Sequence, residues 1–176
     1  MGNYKFLNNA EDSDAKPVGY LSPGHNSAIY DEEAGKYFIF FHTRFENRGE
    51  HHEVRVHQMF MNQDGWPVIA PYRYAGETAG RYKKKEATGA YRIIQHGNDI
   101  AKEIKTSVVI ELKQNGKVTG SLNGSWALSD GNKLELNLDG ALYKGVFLEQ
   151  WDTDNQCATM TFTAVSETGN AIWGSK

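Results

Sequence analysis

The sequence predicts an all-β chain in two parts. Three observations carry this. Short apolar-alternating segments recur along most of the 176 residues; eighteen glycines stand against four prolines; and Asn-Gly or Asp-Gly pairs fall between segments, where hairpins turn.

In the front half, strand-like segments fall at 27–30, 36–42, 53–60 and 66–70. Asn62-Gln63-Asp64-Gly65 is a turn, because Gly65 supplies the positive φ that closes a hairpin. Tyr37-Phe38-Ile39-Phe40-Phe41 is apolar on both faces, the mark of a strand covered from two sides. Four antiparallel strands over about 45 residues match one β-propeller blade. A lone blade cannot cover its own faces, so this half reads as incomplete, a piece of something longer. It is expected to pair with another chain or to pack on the second half of its own.

A polar, glycine-bearing stretch at 77–89 reads as a linker, its three lysines at 83–85 as a solvated connector. It separates 1–76, the partial propeller, from 90–176, a small antiparallel β-barrel. Strands are expected there at 91–96, 106–113, 117–122, 125–128, 133–138, 142–150, 158–165 and 171–173. Val108, Ile110 and Leu112 share a face by period two, as do Leu134, Leu136 and Leu138, and Met160 and Phe162. Asn115-Gly116, Asp130-Gly131 and Asp139-Gly140 close hairpins. Tight turns at this spacing predict a closed barrel. Residues 98–105 fit either a short helical turn or a loop.

Composition narrows function. A net charge of −3 argues against a nucleic-acid partner, which calls for a basic face. No apolar run approaches the roughly 18–20 residues of a membrane span. The single Cys157 excludes an internal disulfide or a cysteine-based zinc site. The N-terminal residues lack the apolar core of a signal peptide, and Phe6 stands where a myristoylation motif wants Ser or Thr.

Two histidine groups invite attention. His51, Glu53, Arg55 and His57 share one strand face, but the arginine repels a cation, so a hydrogen-bonded polar strand is the better reading. In Ser22-Pro23-Gly24-His25-Asn26-Ser27, a Pro-Gly corner holds His25 at the mouth of a strand, where propellers collect functional groups. A different class of function, a non-catalytic binding module, would stack sugars on Trp126, Trp151 and Trp173, helped by Tyr91 and Tyr143; such aromatics are more often core. A third reading makes the barrel a buttress for the propeller.

Ser22-Pro23-Gly24-His25-Asn26-Ser27, Gly35-Lys36-Tyr37-Phe38, His42-Thr43-Arg44-Phe45 and Arg48-Gly49-Glu50 resemble the final blade of family 43 glycoside hydrolases, in particular secreted endo-1,5-α-L-arabinanases. His52-Glu53-Val54-Arg55-Val56-His57-Gln58-Met59, Asp64-Gly65-Trp66-Pro67-Val68 and Ala70-Pro71-Tyr72-Arg73-Tyr74-Ala75-Gly76-Glu77 extend the resemblance, and the second half is similar to the family's C-terminal barrel. The resemblance implies a five-bladed propeller that cleaves α-1,5-linked arabinan with inversion, working outside the cell. It implies that the catalytic carboxylates lie on earlier blades, so none is in this chain; Asp31, Glu32, Glu50 and Glu53 do not match them. It also implies that His25 binds a metal, usually calcium, largely through water. The implied partners are arabinan and the missing N-terminal propeller portion, with no nucleic acid and no membrane.

Overall fold

The computed structural model describes residues 2–7, 18–99 and 101–176; Met1 and residue 100 of the undecided 98–105 stretch lie outside them. The expected all-β architecture is what forms: one open sheet, then a closed barrel of eight strands.

The sheet holds β1 (Tyr4–Lys5), β2 (Tyr20–Asp31), β3 (Lys36–Phe45), β4 (Glu53–Met61) and β5 (Pro67–Ile69). Strands β2 to β5 form an antiparallel meander, and the turn at Gly65 has the positive φ (79°) that its sequence called for. The central β3 buries Phe38, Ile39 and Phe41, as its two-sided apolar pattern demands. Beyond β2 lies β1, paired at Tyr4↔Tyr20, and beyond β1 the two-residue β7 (Lys105–Thr106), which joins in parallel. That last strand comes from the second half of the chain. The segment 106–113, expected as one strand, therefore splits. Ser107 is the hinge: its N–H donates to the Lys5 carbonyl (3.2 Å) and its Oγ accepts from the Leu7 N–H (2.8 Å), pulling the chain to the sheet before it enters the barrel. The described part of 98–105 forms no helix and leads as a loop into β7.

The barrel runs β6 (Gly89–Gln95), β8 (Val108–Leu112), β9 (Lys117–Gly120), β10 (Gly124–Ser129), β11 (Lys133–Leu138), β12 (Ala141–Asp152), β13 (Cys157–Ser166) and β14 (Ala171–Ser175), which pairs back to β6. Each strand neighbours the next in sequence, the simplest way to remove every edge. At Asp139-Gly140 both residues have positive φ (47° and 90°), as a two-residue hairpin turn requires, and Asp130-Gly131 (49° and 86°) open the three-residue loop between β10 and β11. Inside pack Tyr91, Ile110, Trp126, Leu134, Leu136, Phe147 and Phe162. Val108, on the face of Ile110 and Leu112, is exposed at the rim. Gly174 is required by this core, since a Cβ there would sit 2.2 Å from the Phe162 ring. The stretch between the halves contains a short helix, α1 (Lys84–Ala87), whose Ala87 enters the barrel core and accepts a hydrogen bond from Tyr91 Oη (2.9 Å).

Sheet and barrel share a second apolar cluster of Tyr4, Phe6, Ile94 and Trp173, with Tyr20, Ile69 and Tyr72 against it. The front half thus packs one side on the barrel, one of the two outcomes expected for an incomplete blade.

Candidate functional site

His25 sits in an irregular stretch of β2. The register with β3 slips between Leu21 and Gly24 and again between Gly24 and Ser27, and two non-glycine residues, Ser22 (φ 49°) and His25 (φ 50°), adopt left-handed backbone. L-residues avoid that region, so two within four positions mark a conformation imposed by its surroundings. Anchors on both sides impose it. The Ser22 N–H donates to Asn3 Oδ1 (2.7 Å), Thr43 Oγ1 donates to the Leu21 carbonyl (3.0 Å), and Arg44 Nη2 donates to Ser22 Oγ (3.2 Å). The His25 imidazole is exposed and begins a column of rings: His25 to His42 is 5.5 Å between centroids and His42 to His52 is 4.6 Å. The sequence motifs named these three histidines separately; the fold brings them together. Among the described residues no three His, Cys, Asp or Glu side chains converge to hold a metal ion.

The other histidine group disperses. His57 is fully buried and His51 exposed; Glu53 pairs with Arg55 (2.9 Å) and lies 3.7 Å from Arg48. Glu50 pairs with Arg44, and Asp31 Oδ1 accepts the N–H groups of Glu33 and Ala34 in a turn (3.0 Å each). These carboxylates are engaged in ion pairs and a turn.

Between sheet and barrel lies a cavity of about 170 Å³, whose lining includes Tyr20, Phe45, Arg48, Arg55 and Asp154. Phe45 carries two guanidinium groups, Arg55 at 4.5 Å and Arg48 at 5.2 Å from its centroid. The wall on the barrel side is a polar network around the buried Arg92 and Asp152. Arg92 Nη2 is 3.6 Å from Asp152 Oδ2, Tyr72 Oη donates to that oxygen (3.1 Å), and Asn155 Nδ2 donates to it as well (2.7 Å). Burial, with Asp152 adding to it, holds the Asp154 carboxyl above the usual range. Nothing in the sequence flagged this joint, because its members come from segments far apart along the chain.

Of the five aromatics weighed as sugar platforms, four are core, the role the sequence favoured. Tyr91, Trp126 and Tyr143 fill the barrel and Trp173 fills the joint, since rings this large are the most effective packers available; Trp151 alone stays exposed. The most exposed tryptophan, Trp66 at 66%, was missed. The sequence reading made it the first residue of a strand at 66–70, whereas the strand begins at Pro67 and leaves Trp66 in the turn.

A profile for the C-terminal lipocalin-like domain of family 43 glycoside hydrolases matches residues 71–174. The chain is 51% identical, over its whole length, to the extracellular endo-α-(1→5)-L-arabinanase 2 of Bacillus subtilis strain 168. It is 45% identical to the extracellular endo-α-(1→5)-L-arabinanase of Thermotoga petrophila RKU-1 over 99% of its length. It spans 37% of each of these curated relatives. Among solved structures, all of this chain superposes on 38% of the family 43 glycoside hydrolase YxiA of Bacillus licheniformis, with a TM-score of 0.92 and 53% identity. It superposes likewise on 40% of the Thermotoga petrophila endo-1,5-α-L-arabinanase, with a TM-score of 0.93 and 44% identity.

Proposed function

This chain belongs to the family of C-terminal lipocalin-like domains of family 43 glycoside hydrolases, and from that premise we propose that it forms the C-terminal portion of an enzyme hydrolysing α-1,5-linked arabinan. The observation that carries this is its match, from end to end, to a little over a third of two proteins named as arabinanases. In this reading the chain supplies the closing blade, and residues 1–76, 77–89 and 90–176 divide as propeller portion, linker and barrel. The carboxylates that cleave the bond reside on the N-terminal portion; inverting hydrolysis needs a protonated acid and a base roughly 6.5–9.5 Å apart with water between. The engagement of Glu50, Glu53 and Asp31 in ion pairs and a turn supports their exclusion from that task.

His25 is assigned one contact to a calcium ion, mostly through water. Calcium prefers oxygen ligands, so a single imidazole orders the shell and most of the affinity comes from elsewhere. When bound, the ion supplies positive potential that keeps neighbouring carboxylates ionised. The fixed backbone from Ser22 to His25 is suited to holding that imidazole in place. The names of both curated relatives support an extracellular site of action, and no described helix is long and apolar enough to cross a membrane.

The test is complementation. The purified 176-residue chain is expected to release no arabino-oligosaccharides from linear arabinan, and addition of the N-terminal propeller portion is expected to produce them. Turnover by the chain alone, or none from the reconstituted pair, would overturn the proposal.

A further inference from the structure

A second surface, remote in sequence from His25, has the chemistry of a sugar contact. The hairpin turn between β4 and β5 places Trp66 beside a hollow of about 120 Å³, whose other walls include Asp64, Leu142, Lys144, Val165 and Glu167. Trp66 and Asp64 come from the sheet and the rest from the barrel, so the hollow exists only when the two are docked.

A two-thirds exposed tryptophan leaves a large apolar face in water, and the turn around it is held rigid. Asn62 Oδ1 accepts from the N–H groups of Asp64 and Trp66 (2.9 Å each), and the Asn62 N–H donates to the Trp66 carbonyl (2.9 Å). Barrel atoms clamp the same turn: Gln63 Nε2 donates to the Leu134 carbonyl (3.0 Å), Lys133 Nζ to the Met61 carbonyl (2.7 Å) and Lys144 Nζ to Asp64 Oδ1 (2.8 Å). A ligand meeting this surface orders little that is not already ordered.

The lining identifies the ligand class. An indole face and the apolar Leu142 and Val165 suit the C–H face of a sugar ring. Two carboxylates and one ammonium at the rim offer acceptors and a donor for hydroxyl groups. With two negative charges against one positive, the hollow does not favour an anion. We infer that Trp66 and this hollow form an accessory contact for a neutral polysaccharide, resting on the arabinan reading above for the identity of the chain: α-1,5-linked arabinofuranose. Trp66 would hold substrate to the C-terminal portion.

The experiment is affinity electrophoresis of the 176-residue chain in gels containing linear arabinan, xylan or galactan, with near-UV circular dichroism to show that each variant keeps its packing. The wild type is expected to be retarded by arabinan, with W151A behaving like it. W66A should show an apparent dissociation constant raised about tenfold or more, and W66F, which keeps a ring, an intermediate value. Equal retardation of wild type and W66A overturns the site, as does free migration of the wild type in all three gels; the arabinan reading is then still decided by complementation. Trp66-dependent retardation by xylan or galactan and not by arabinan overturns the ligand assignment and counts against that reading too.

Discussion

His57 lies on β4 with its ring between Phe41 (5.0 Å) and Trp173 (6.1 Å), fully buried where sheet meets barrel. Its Nδ1–H donates to the Ala70 carbonyl (2.8 Å), which fixes the neutral tautomer. Burial, against a smaller opposing effect of that hydrogen bond, lowers its pKa to about 4, and His96, edge-on to the same indole, is lowered to about 3, again by burial first. An unfolded chain regains a histidine pKa near 6.5. Between these values the unfolded state binds more protons, so the stability due to neutral burial is complete above about pH 6.5 and drains as pH falls toward 4. The effect is on the order of 3 kcal/mol for His57. Urea unfolding at about pH 7 and about pH 4.5 should show the wild type losing stability on acidification and H57F losing clearly less. At about pH 7 the variant should be weaker by about 1–3 kcal/mol, since the Ala70 carbonyl loses its donor, and that gap should narrow or close at about pH 4.5. Equal acid sensitivity of the two proteins would remove His57 from this role. From the sequence, period two put His57 on one strand face with His51, Glu53 and Arg55. That a barrel tryptophan covers it was not legible, because 116 positions separate the two residues and no local pattern encodes that contact.

At the scale of elements, the barrel was legible and the joint was not. Leu134, Leu136 and Leu138 alternate with polar neighbours, and Asp-Gly pairs bracket their strand, so local chemistry alone placed β11 with both its turns. Strand β14 shows the opposite case. Ile172 points into the barrel and Trp173 into the joint, so both faces are apolar and the pattern cannot say which neighbour lies on which side. Trp173 contacts Tyr4 edge-on (5.0 Å) as well as His57 and His96, and it ties the sheet to the barrel. Trp173→Ala is expected to cost about 3–5 kcal/mol. The loss should be local: amide hydrogen exchange should accelerate in β3 and β4 while β10, β11 and β12 stay protected. Uniform acceleration across both regions would mean that sheet and barrel unfold as one unit and that this indole is ordinary core.

For the whole molecule, the decisive feature is what stays bare. Past its single pairing with β1 at Tyr20, β2 has no described partner on its outer edge down to Asp31, and Ile29 (48% exposed), Tyr30 and Val54 (68% exposed) present apolar surface on the same sheet. A long strand edge with open apolar neighbours recruits another strand or sheet, and proteins that leave one uncovered aggregate. The two-sided apolar pattern of Tyr37–Phe41 is met within the chain at Phe38, Ile39 and Phe41, so the surface left open lies at Tyr37 and on the neighbouring strands. The chain alone is therefore expected to self-associate with rising concentration in sedimentation velocity, and the β2 amides that point away from β3, every second one along Ser27–Asp31, should exchange quickly. Mixed with the N-terminal propeller portion, it should sediment as a one-to-one complex with those amides protected. If the isolated chain is monomeric at every concentration and β2 is already protected, the bare edge is no docking surface, and a propeller closed by this chain loses its physical basis.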